Sequence, residues 1–315
     1  MIEIPTYTDI ESAHRRISHI IQRTPIYFSR GINKIIGASV FFKCENFQRV
    51  GAFKYRGATN AVQLLTEEEA KNGVVTHSSG NHAQALALAA KIRNIKAYIV
   101  MPKSAPKSKV EAVRSYYGEI IFCEPTLEAR ESTTAKIIEN TGATLIHPYD
   151  NPNVIAGQGT AAKELIEELG SLDIIMAPIG GGGLLSGTSI ATKFLSPRTM
   201  VIGAEPKNAD DAFQSFRAGK IIPSNNPKPI ADGLLTSLSE RTFTIIKKNV
   251  LRILTAREET IAEAMKLIWQ RMKIVIEPSS AVPLAVMMEN PDIFLGKTVG
   301  IIISGGNLDF DNLPF

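Results

Sequence analysis

Three observations predict an α/β protein with two open, parallel sheets. Short strand patterns alternate with helix patterns along the chain. The strands are short and mainly apolar, as in "GVVTH" and "TVGIIIS", which is typical of parallel sheets covered by helices on both faces. The chain of 315 residues holds more of these units than one sheet usually accommodates, so we expect two domains. In such sheets, ligands bind at the carboxyl ends of the strands.

The elements follow one another in a regular order. The apolar spacing first predicts helices and strands over "SAHRRISHIIQ", "ASVFFKCE", "YRGATNAVQLLTEEEA", "GVVTH", "NHAQALALAAKIR", "KAYIVM" and "APKSKVEAVRSYYG". The alternation continues over "EIIFCE", "TLEARESTTAKIIENTG", "TLIHP", "PNVIAGQGTAAKELIEELG", "LDIIMAPIG", "LLSGTSIATKFL" and "TMVIGAEP". It closes with the helix "REETIAEAMKLIWQRM" and the strand "TVGIIISGG". The Pro- and Asn-rich stretch "AGKIIPSNNPKPIADG" indicates a surface excursion.

The bulk composition predicts a cytoplasmic protein. The net charge of +4 suits small anionic ligands but forms no dense basic patch, so we expect no nucleic-acid partner. Cys44 and Cys123 lie far apart without metal-ligand spacing, which fits a reducing compartment. The start "MIEIPTYTDI" lacks a signal-peptide pattern, and no apolar run reaches membrane-spanning length, so we expect no membrane partner.

The stretch "APIGGGGLLSG" is the strongest local signal. A buried strand leads into Gly180, Gly181, Gly182 and Gly183, which open a helix. Glycines let successive backbone N–H groups converge at a helix N-terminus, which is a phosphate site by geometry and by dipole. A competing interpretation places Gly181, Gly183 and Ser186 in an imperfect dinucleotide motif, with turnover of a nicotinamide cofactor.

Two further loops place polar groups after strands. In "VGAFKYRGA", Lys54 sits among aromatic residues, either as an activated amine or as an ordinary surface lysine. In "THSSGNHAQA", hydroxyl and amide groups precede a helix, where they either bind a ligand or cap the helix. Ser304 in "GIIISGGN" follows the last strand and is by itself a weak signal.

The loop "GAEPKNADD" offers oxygen ligands. Glu205 and Asp211 supply carboxylates, and Ala209 supplies a carbonyl, a set that suits Mg²⁺, Mn²⁺ or Ca²⁺. From these residues alone, a solvated acidic loop is the more common explanation.

Taken in order, these motifs resemble the pyridoxal-phosphate enzymes of the tryptophan-synthase-β fold group. Within that group the chain is most similar to serine racemases and to threonine/serine dehydratases. The resemblance covers nearly the whole chain and includes "ENFQRVGAFKYRGA", "THSSGNHAQA", "CEPTLEARE", "HPYDNPNVIAGQGT", "GGGGLLSG", "EPKNADD", "IADG", "RMKIVIEPS" and "ISGGN". It implies two open-sheet α/β domains with the active site in the cleft between them.

The resemblance also implies roles around the cofactor. Lys54 would hold pyridoxal phosphate as a Schiff base, and Phe53 would pack beside the ring. Asn81 would bond the ring hydroxyl, and the glycines from Gly180 to Gly183 would hold the phosphate. Ser304 would meet the pyridine nitrogen, and a neutral partner there makes the ring a weaker electron sink, which suits proton shuttling and β-elimination.

By the same resemblance, Arg130 would engage the substrate carboxylate or lock the closed state, and Tyr149 would line the pocket. The residues expected near the substrate carboxylate are Ser78, Ser79, Asn81 and Gln84. Glu205, Ala209 and Asp211 match the divalent-cation site of the family, which reverses the expectation from the residues alone. Some relatives bind ATP at a subunit interface, and the sequence neither supports nor excludes ATP as an effector here.

We therefore predict a homodimeric enzyme with a large domain of residues 1–72 and 150–315 and a small mobile domain of residues 73–149. The predicted reaction is the interconversion of L- and D-serine, with β-elimination of serine to pyruvate and ammonia. Ser79 stands where racemases have serine and dedicated threonine dehydratases have alanine. A threo-3-hydroxyaspartate or threonine/serine dehydratase is the alternative, and a sulfhydrylase or a non-catalytic amino-acid sensor remains open.

Overall fold

The computed structural model describes residues 2–315 and contains two β-sheets flanked by helices. This confirms the predicted α/β class with two open sheets. The strands are β1 Ile26–Phe28, β2 Ser39–Cys44, β3 Val74–His77, β4 Ala97–Pro102, β5 Glu119–Cys123, β6 Thr144–Leu145, β7 Ile174–Pro178, β8 Met200–Pro206, β9 Arg252–Ala256 and β10 Thr298–Ile303.

Fourteen α-helices surround these strands. They are α1 Tyr7–Ile17, α2 Arg30–Ile36, α3 Lys54–Gln63, α4 Glu67–Asn72, α5 Asn81–Arg93, α6 Lys107–Ser115, α7 Leu127–Thr141, α8 Pro152–Leu169, α9 Gly183–Leu195, α10 Asp211–Ala218, α11 Glu240–Asn249, α12 Glu258–Met272, α13 Pro278–Glu289 and α14 Pro291–Phe294. Over the described part of the chain, none of these helices combines the length and apolar character needed to cross a membrane.

The larger sheet has the order β1-β2-β10-β7-β8-β9, and all its pairs are parallel except β1 with β2. The last strand of the chain thus lies between β2 and β7. Because parallel strands end at the same edge, the segments that follow β2, β10 and β7 meet there. Those segments carry Lys54, Ser304 and the four glycines.

The smaller sheet has the order β5-β4-β3-β6 and is parallel throughout. All of its strands lie between residues 74 and 145. The loop after β3 leads to Asn81, and the segment after β6 leads to Tyr149. Its edge therefore presents the second group of candidate site residues.

Two predicted helices are wrong in extent. The pattern "SAHRRISHIIQ" predicts a helix over residues 12–22, whereas α1 spans Tyr7–Ile17. The pattern "YRGATNAVQLLTEEEA" predicts a single helix, whereas the structure contains α3 and α4. The break follows from a capping box, because the Thr66 hydroxyl accepts a hydrogen bond from Glu69 N at 3.2 Å and the Glu69 carboxylate accepts one from Thr66 N at 2.8 Å. This local pairing starts a new helix and overrides the continuous apolar spacing.

A buried ion network fixes α3 in place. The Arg56 guanidinium donates to Glu45 from Nε at 2.7 Å and to Glu164 from Nη1 at 2.8 Å, and Lys43 Nζ donates to Glu164 at 2.7 Å. These side chains are fully or almost fully buried. Burial works to raise the pKa of Glu164, but hydrogen bonds from His14 and Arg56 outweigh it and hold that pKa well below its usual range.

We expect Arg56→Ala to lower the free energy of unfolding by about 3–5 kcal/mol, because it leaves buried carboxylates without a partner. Urea denaturation measures this change. Arg23→Ala is the control, because Arg23 is half exposed and reaches Glu168 only at the surface, at 3.5 Å. Its loss should cost about 1 kcal/mol or less. Equal changes in the two variants would contradict a structural role for the buried network.

Candidate functional site

The turn that carries Lys54 is fastened to the end of β10. Phe53 N donates a hydrogen bond to Ser304 O at 2.9 Å, and Ala52 forms a β-bridge with Gly305. Lys54 is the first residue of α3, directly after this turn. The end of β10 therefore fixes the position of the Lys54 backbone.

The Lys54 amine lies in a protein-lined environment. Its Nζ donates to Pro148 O at 2.8 Å and lies 5.2 Å from the centroid of the Phe53 ring. Burial lowers the pKa of Lys54 to about 8, and the nearby Glu277 opposes the shift in part. About a tenth of the amine is thus neutral at pH 7, far more than for an ordinary lysine, which supports the activated-amine interpretation over a solvated lysine.

The loop after β3 ends in a helix without a side-chain cap. Gly80 is the N-cap residue of α5 and has no side chain that could accept a hydrogen bond. Ser78 Oγ makes only a long contact of 3.4 Å with Gly80 N, and the Ser79 hydroxyl makes no hydrogen bond to another described residue. The alternative in which Ser79 caps this helix has no support in these contacts.

Asn81 reaches across to the segment around β10. Its Nδ2 lies 3.0 and 3.2 Å from the two carboxylate oxygens of Glu277, and its Oδ1 accepts from Asn307 Nδ2 at 2.9 Å. Ser304 Oγ lies 3.0 Å from Ser280 Oγ and 3.5 Å from Glu277 Oε1. Burial raises the pKa of Glu277 to about 7, although the hydrogen bond from Asn81 opposes this. Two predicted site residues, Asn81 and Ser304, thus meet at one carboxyl group.

The glycine loop after β7 presents free backbone donors. Within residues 2–315, the N–H groups of Gly180 to Gly183 donate to no other protein group. Gly182 has φ +83° and is the N-cap residue of α9, a helix that also lacks a side-chain cap. A Cβ at Gly181 would lie 2.4 Å from the Tyr149 ring, so only glycine permits this close approach. The loop is therefore built as an anion cradle beside Tyr149.

Three histidines near the smaller sheet are held neutral. Burial lowers the pKa of His82 to about 3 and that of His147 to about 4, and it also lowers the pKa of His77. His82 Nε2 lies 3.0 Å from Ile146 O, which makes it the protonated nitrogen. These rings orient the loops and carry no charge at neutral pH.

Arg130 and Gln84 occupy different positions around this region. Gln84 lies in the second turn of α5 and is buried. Arg130 lies in α7, half-buried, and its Nε is enclosed without a hydrogen-bond partner in the described chain. An enclosed guanidinium N–H of this kind is available to an anionic ligand.

The predicted cation ligands follow β8, the strand next to β7 in the larger sheet. Glu205 is the penultimate residue of β8, and its carboxylate accepts from Ala212 N at 3.0 Å and Phe213 N at 2.8 Å. Burial raises the pKa of Glu205 to about 9 and that of Asp211 to about 6, and Asp211 Oδ2 is buried without a partner. A cavity of about 520 Å³ adjoins Asp211 and is also lined by Ala209 and Ser224 among others. Within residues 2–315, no three His, Cys, Asp or Glu side chains converge as a ligand cluster.

The fold and the lysine-centred cluster define a class of enzyme that the sequence comparison identifies. The family described as "Pyridoxal-phosphate dependent enzyme" matches residues 17–305. The chain belongs to this family, which confirms the resemblance stated above.

Individual relatives cover almost the full chain. It is 54% identical to beta-hydroxyaspartate dehydratase of Paracoccus denitrificans (strain Pd 1222), over 99% of each chain. It is 50% identical to serine racemase of Dictyostelium discoideum, over 98% of this chain and 96% of the relative. The solved structure of maize serine racemase superimposes with a TM-score of 0.96 at 43% identity, covering 98% of this chain and 95% of that one.

The residues present fit pyridoxal phosphate. A half-buried amine with a lowered pKa, a glycine cradle with free N–H groups and a buried hydroxyl at Ser304 lie around one edge of the larger sheet. Sequence reasoning missed Glu277 and Gln158, although both lie in motifs that it singled out. Both polar atoms of the buried Gln158 amide lack partners in the described chain, and a Cβ at Gly183 would lie 2.7 Å from Gln158 Oε1.

The amine pKa predicts how the apoprotein takes up pyridoxal phosphate. Only the neutral amine reacts with an aldehyde, so we expect the rate of uptake, followed by visible absorbance, to rise with pH through a midpoint of about 8. Lys54→Ala should abolish covalent uptake and turnover, whereas the exposed Lys71→Ala should behave as the wild type. Retained covalent uptake in Lys54→Ala, or a wild-type midpoint above about 10, would contradict the assignment.

Proposed function

We propose that this enzyme interconverts L- and D-serine and also eliminates water from serine to give pyruvate and ammonia. Two observations carry the proposal: the half-buried amine of Lys54 with its lowered pKa, and the Ser79 hydroxyl, which makes no hydrogen bond within the described part of the chain. Relatives named serine racemase, at 45–50% identity, support the same reaction.

The chain would hold the cofactor with the residues around Lys54. Lys54 Nζ would attach it, Phe53 would pack beside the ring, and Asn81 and Ser304 would contact its hydroxyl and its pyridine nitrogen. The backbone N–H groups of the glycine loop from Gly180 to Gly183 would bind the phosphate. When bound, pyridoxal phosphate supplies an electron sink for the carbanion that forms at the substrate Cα.

Two bases then handle the substrate proton. Lys54 Nζ removes the proton from Cα on one face, and Ser79 Oγ exchanges a proton on the other, because one base cannot serve both faces of a planar centre. Elimination needs only Lys54, which removes the Cα proton and returns a proton to the β-hydroxyl so that it departs as water. Loss of the second base should therefore separate the two reactions.

The substrate carboxylate would meet the first turn of α5. Ser78 and Ser79 lie in the loop just before that turn, Asn81 begins it and Gln84 follows it. The helix dipole favours an anion there. Arg130 would add its enclosed guanidinium, and Tyr149 would close the pocket over the glycine loop.

A second function, dehydration of threo-3-hydroxyaspartate, has its own support. The beta-hydroxyaspartate dehydratase of Paracoccus denitrificans is 54% identical to this chain. The enclosed Arg130 Nε offers a partner for a second substrate carboxylate, which serine does not have. Threonine/serine dehydration belongs to the same alternative.

The proposed enzyme has two domains and forms a dimer. Residues 73–149 would form a small mobile domain that closes over the substrate, against a large domain of residues 1–72 and 150–315. We further propose a cytoplasmic homodimer, with ATP as a candidate effector at the subunit interface.

Ser79→Ala distinguishes the two functions. We expect the variant to lose racemisation and the use of D-serine while it retains elimination from L-serine, because only the second base is removed. The measurement is the ratio of D-serine to pyruvate formed from L-serine, with threo-3-hydroxyaspartate turnover measured in parallel.

The control is Ser78→Ala, which removes the neighbouring hydroxyl and should affect both reactions together. An unchanged product ratio in Ser79→Ala would show that Ser79 is not the second base. A wild type that turns over threo-3-hydroxyaspartate far faster than serine would favour the dehydratase.

We also propose that Glu205, Asp211 and the Ala209 carbonyl bind Mg²⁺, Mn²⁺ or Ca²⁺. Two buried carboxylates without a cationic partner are costly, and a hard cation is the group that offsets this cost. The adjoining cavity has room for the waters that complete the coordination shell.

Each of these cations should stabilise the chelator-treated protein by about 2.7 kcal/mol at a free concentration one hundred times its dissociation constant. Glu205→Gln and Asp211→Asn should abolish the gain. Asp210→Asn should keep it, because the Asp210 carboxylate is held by Gln214 Nε2 at 2.6 Å. Identical unfolding curves with chelator and with cation would overturn the site.

A further inference from the structure

Glu277 is a buried carboxyl group that connects the segment after β10 of the larger sheet with the helix after β3 of the smaller sheet. It lies at the N-cap of α13, next to the carboxyl end of β10 on the larger sheet, and is 4% exposed. Its backbone N–H donates to Gly305 O at 3.1 Å, so its position relative to Ser304 is fixed. Asn81, which begins the helix after β3 of the smaller sheet, donates to both of its oxygens.

The hydrogen-bond network determines the orientation of the Asn81 amide. Asn307 Nδ2 has two hydrogens and two acceptors, Val50 O at 2.7 Å and Asn81 Oδ1 at 2.9 Å. The oxygen end of Asn81 is therefore occupied, and its NH₂ end faces the Glu277 carboxylate. One N–H that is shared between the two carboxylate oxygens leaves the second N–H available to a ligand.

We propose that Glu277 is a positioning residue that holds the Asn81 amide of the smaller sheet beside Ser304 of the larger sheet, with one N–H directed to the cofactor. This inference rests on the proposed function. A glutamine at position 277 would pair less well, because its amide offers Asn81 Nδ2 one oxygen acceptor in place of the two carboxylate oxygens. Glu277 thus acts through Asn81 rather than on the substrate.

The test measures binding of pyridoxal phosphate to the apoprotein, by equilibrium dialysis, together with the visible spectrum of the bound cofactor. We expect Glu277→Gln to weaken binding roughly tenfold to hundredfold, the usual effect of losing a hydrogen bond to a charged group, and to shift the absorbance maximum. Glu258→Gln is the control, because Glu258 is a half-buried carboxyl group outside this network that accepts from Ile230 N at 2.7 Å. The control should bind the cofactor as the wild type does.

A double-mutant cycle with Asn81→Ala separates positioning from general destabilisation. If Glu277 acts through Asn81, Glu277→Gln in the Asn81→Ala background should cause no further loss of affinity. Additive losses, or an unchanged affinity and spectrum in Glu277→Gln alone, would overturn the inference. If Glu277→Gln does not fold, Glu277→Asp, which keeps the charge and shortens the side chain, enters the same cycle. A wild type that binds no pyridoxal phosphate would instead overturn the proposed function.

Discussion

The buried Arg56 guanidinium is the interaction on which the rest of the site depends. It joins Glu45, in the turn after β2, to Glu164 in the middle of α8, and it lies on the same helix as Lys54. A charge buried this deeply is tolerated only when each of its donors is paired, so the three segments have one mutual arrangement. Lys54 is the first residue of α3, and Arg56 anchors the same helix. The buried ion network therefore also fixes the position of the Lys54 amine.

The strand order of the larger sheet brings the candidate site residues together. β10 comes last in the chain but lies between β2 and β7, so segments that are distant in sequence end side by side. The lysine turn bonds directly to the backbone of Ser304, and the glycine loop follows the neighbouring strand. A parallel sheet offers its backbone dipoles and helix N-termini at this edge, which suits a phosphorylated cofactor.

Contacts between residues of the two sheets accompany the pKa shifts of Lys54 and Glu277. Lys54 Nζ, at the edge of the larger sheet, donates to Pro148 O in the segment that follows the smaller sheet. Asn81, which begins the helix after β3 of the smaller sheet, donates to Glu277. Enclosure between the sheets removes water from both Lys54 and Glu277, which lowers the pKa of the amine and raises the pKa of the acid. The burial that lowers the pKa of the amine and the burial that raises the pKa of the acid therefore occur where the two sheets face each other.

The sequence by itself determined the α/β class, the alternation of elements, the glycine loop and the family, because these features are local patterns of period, turn chemistry and residue order. It also predicted α5 and β10 well, where apolar spacing and flanking glycines agree. It did not determine the break between α3 and α4, which depends on the capping box at Thr66, nor α13, whose apolar face is continuous and which contains Pro283. Only the tertiary structure decided the pairing of Asn81 with Glu277, the enclosure of Gln158 and the salt bridges of Arg56. Those contacts join residues as many as 196 positions apart, and no local pattern encodes which partner a buried polar group meets.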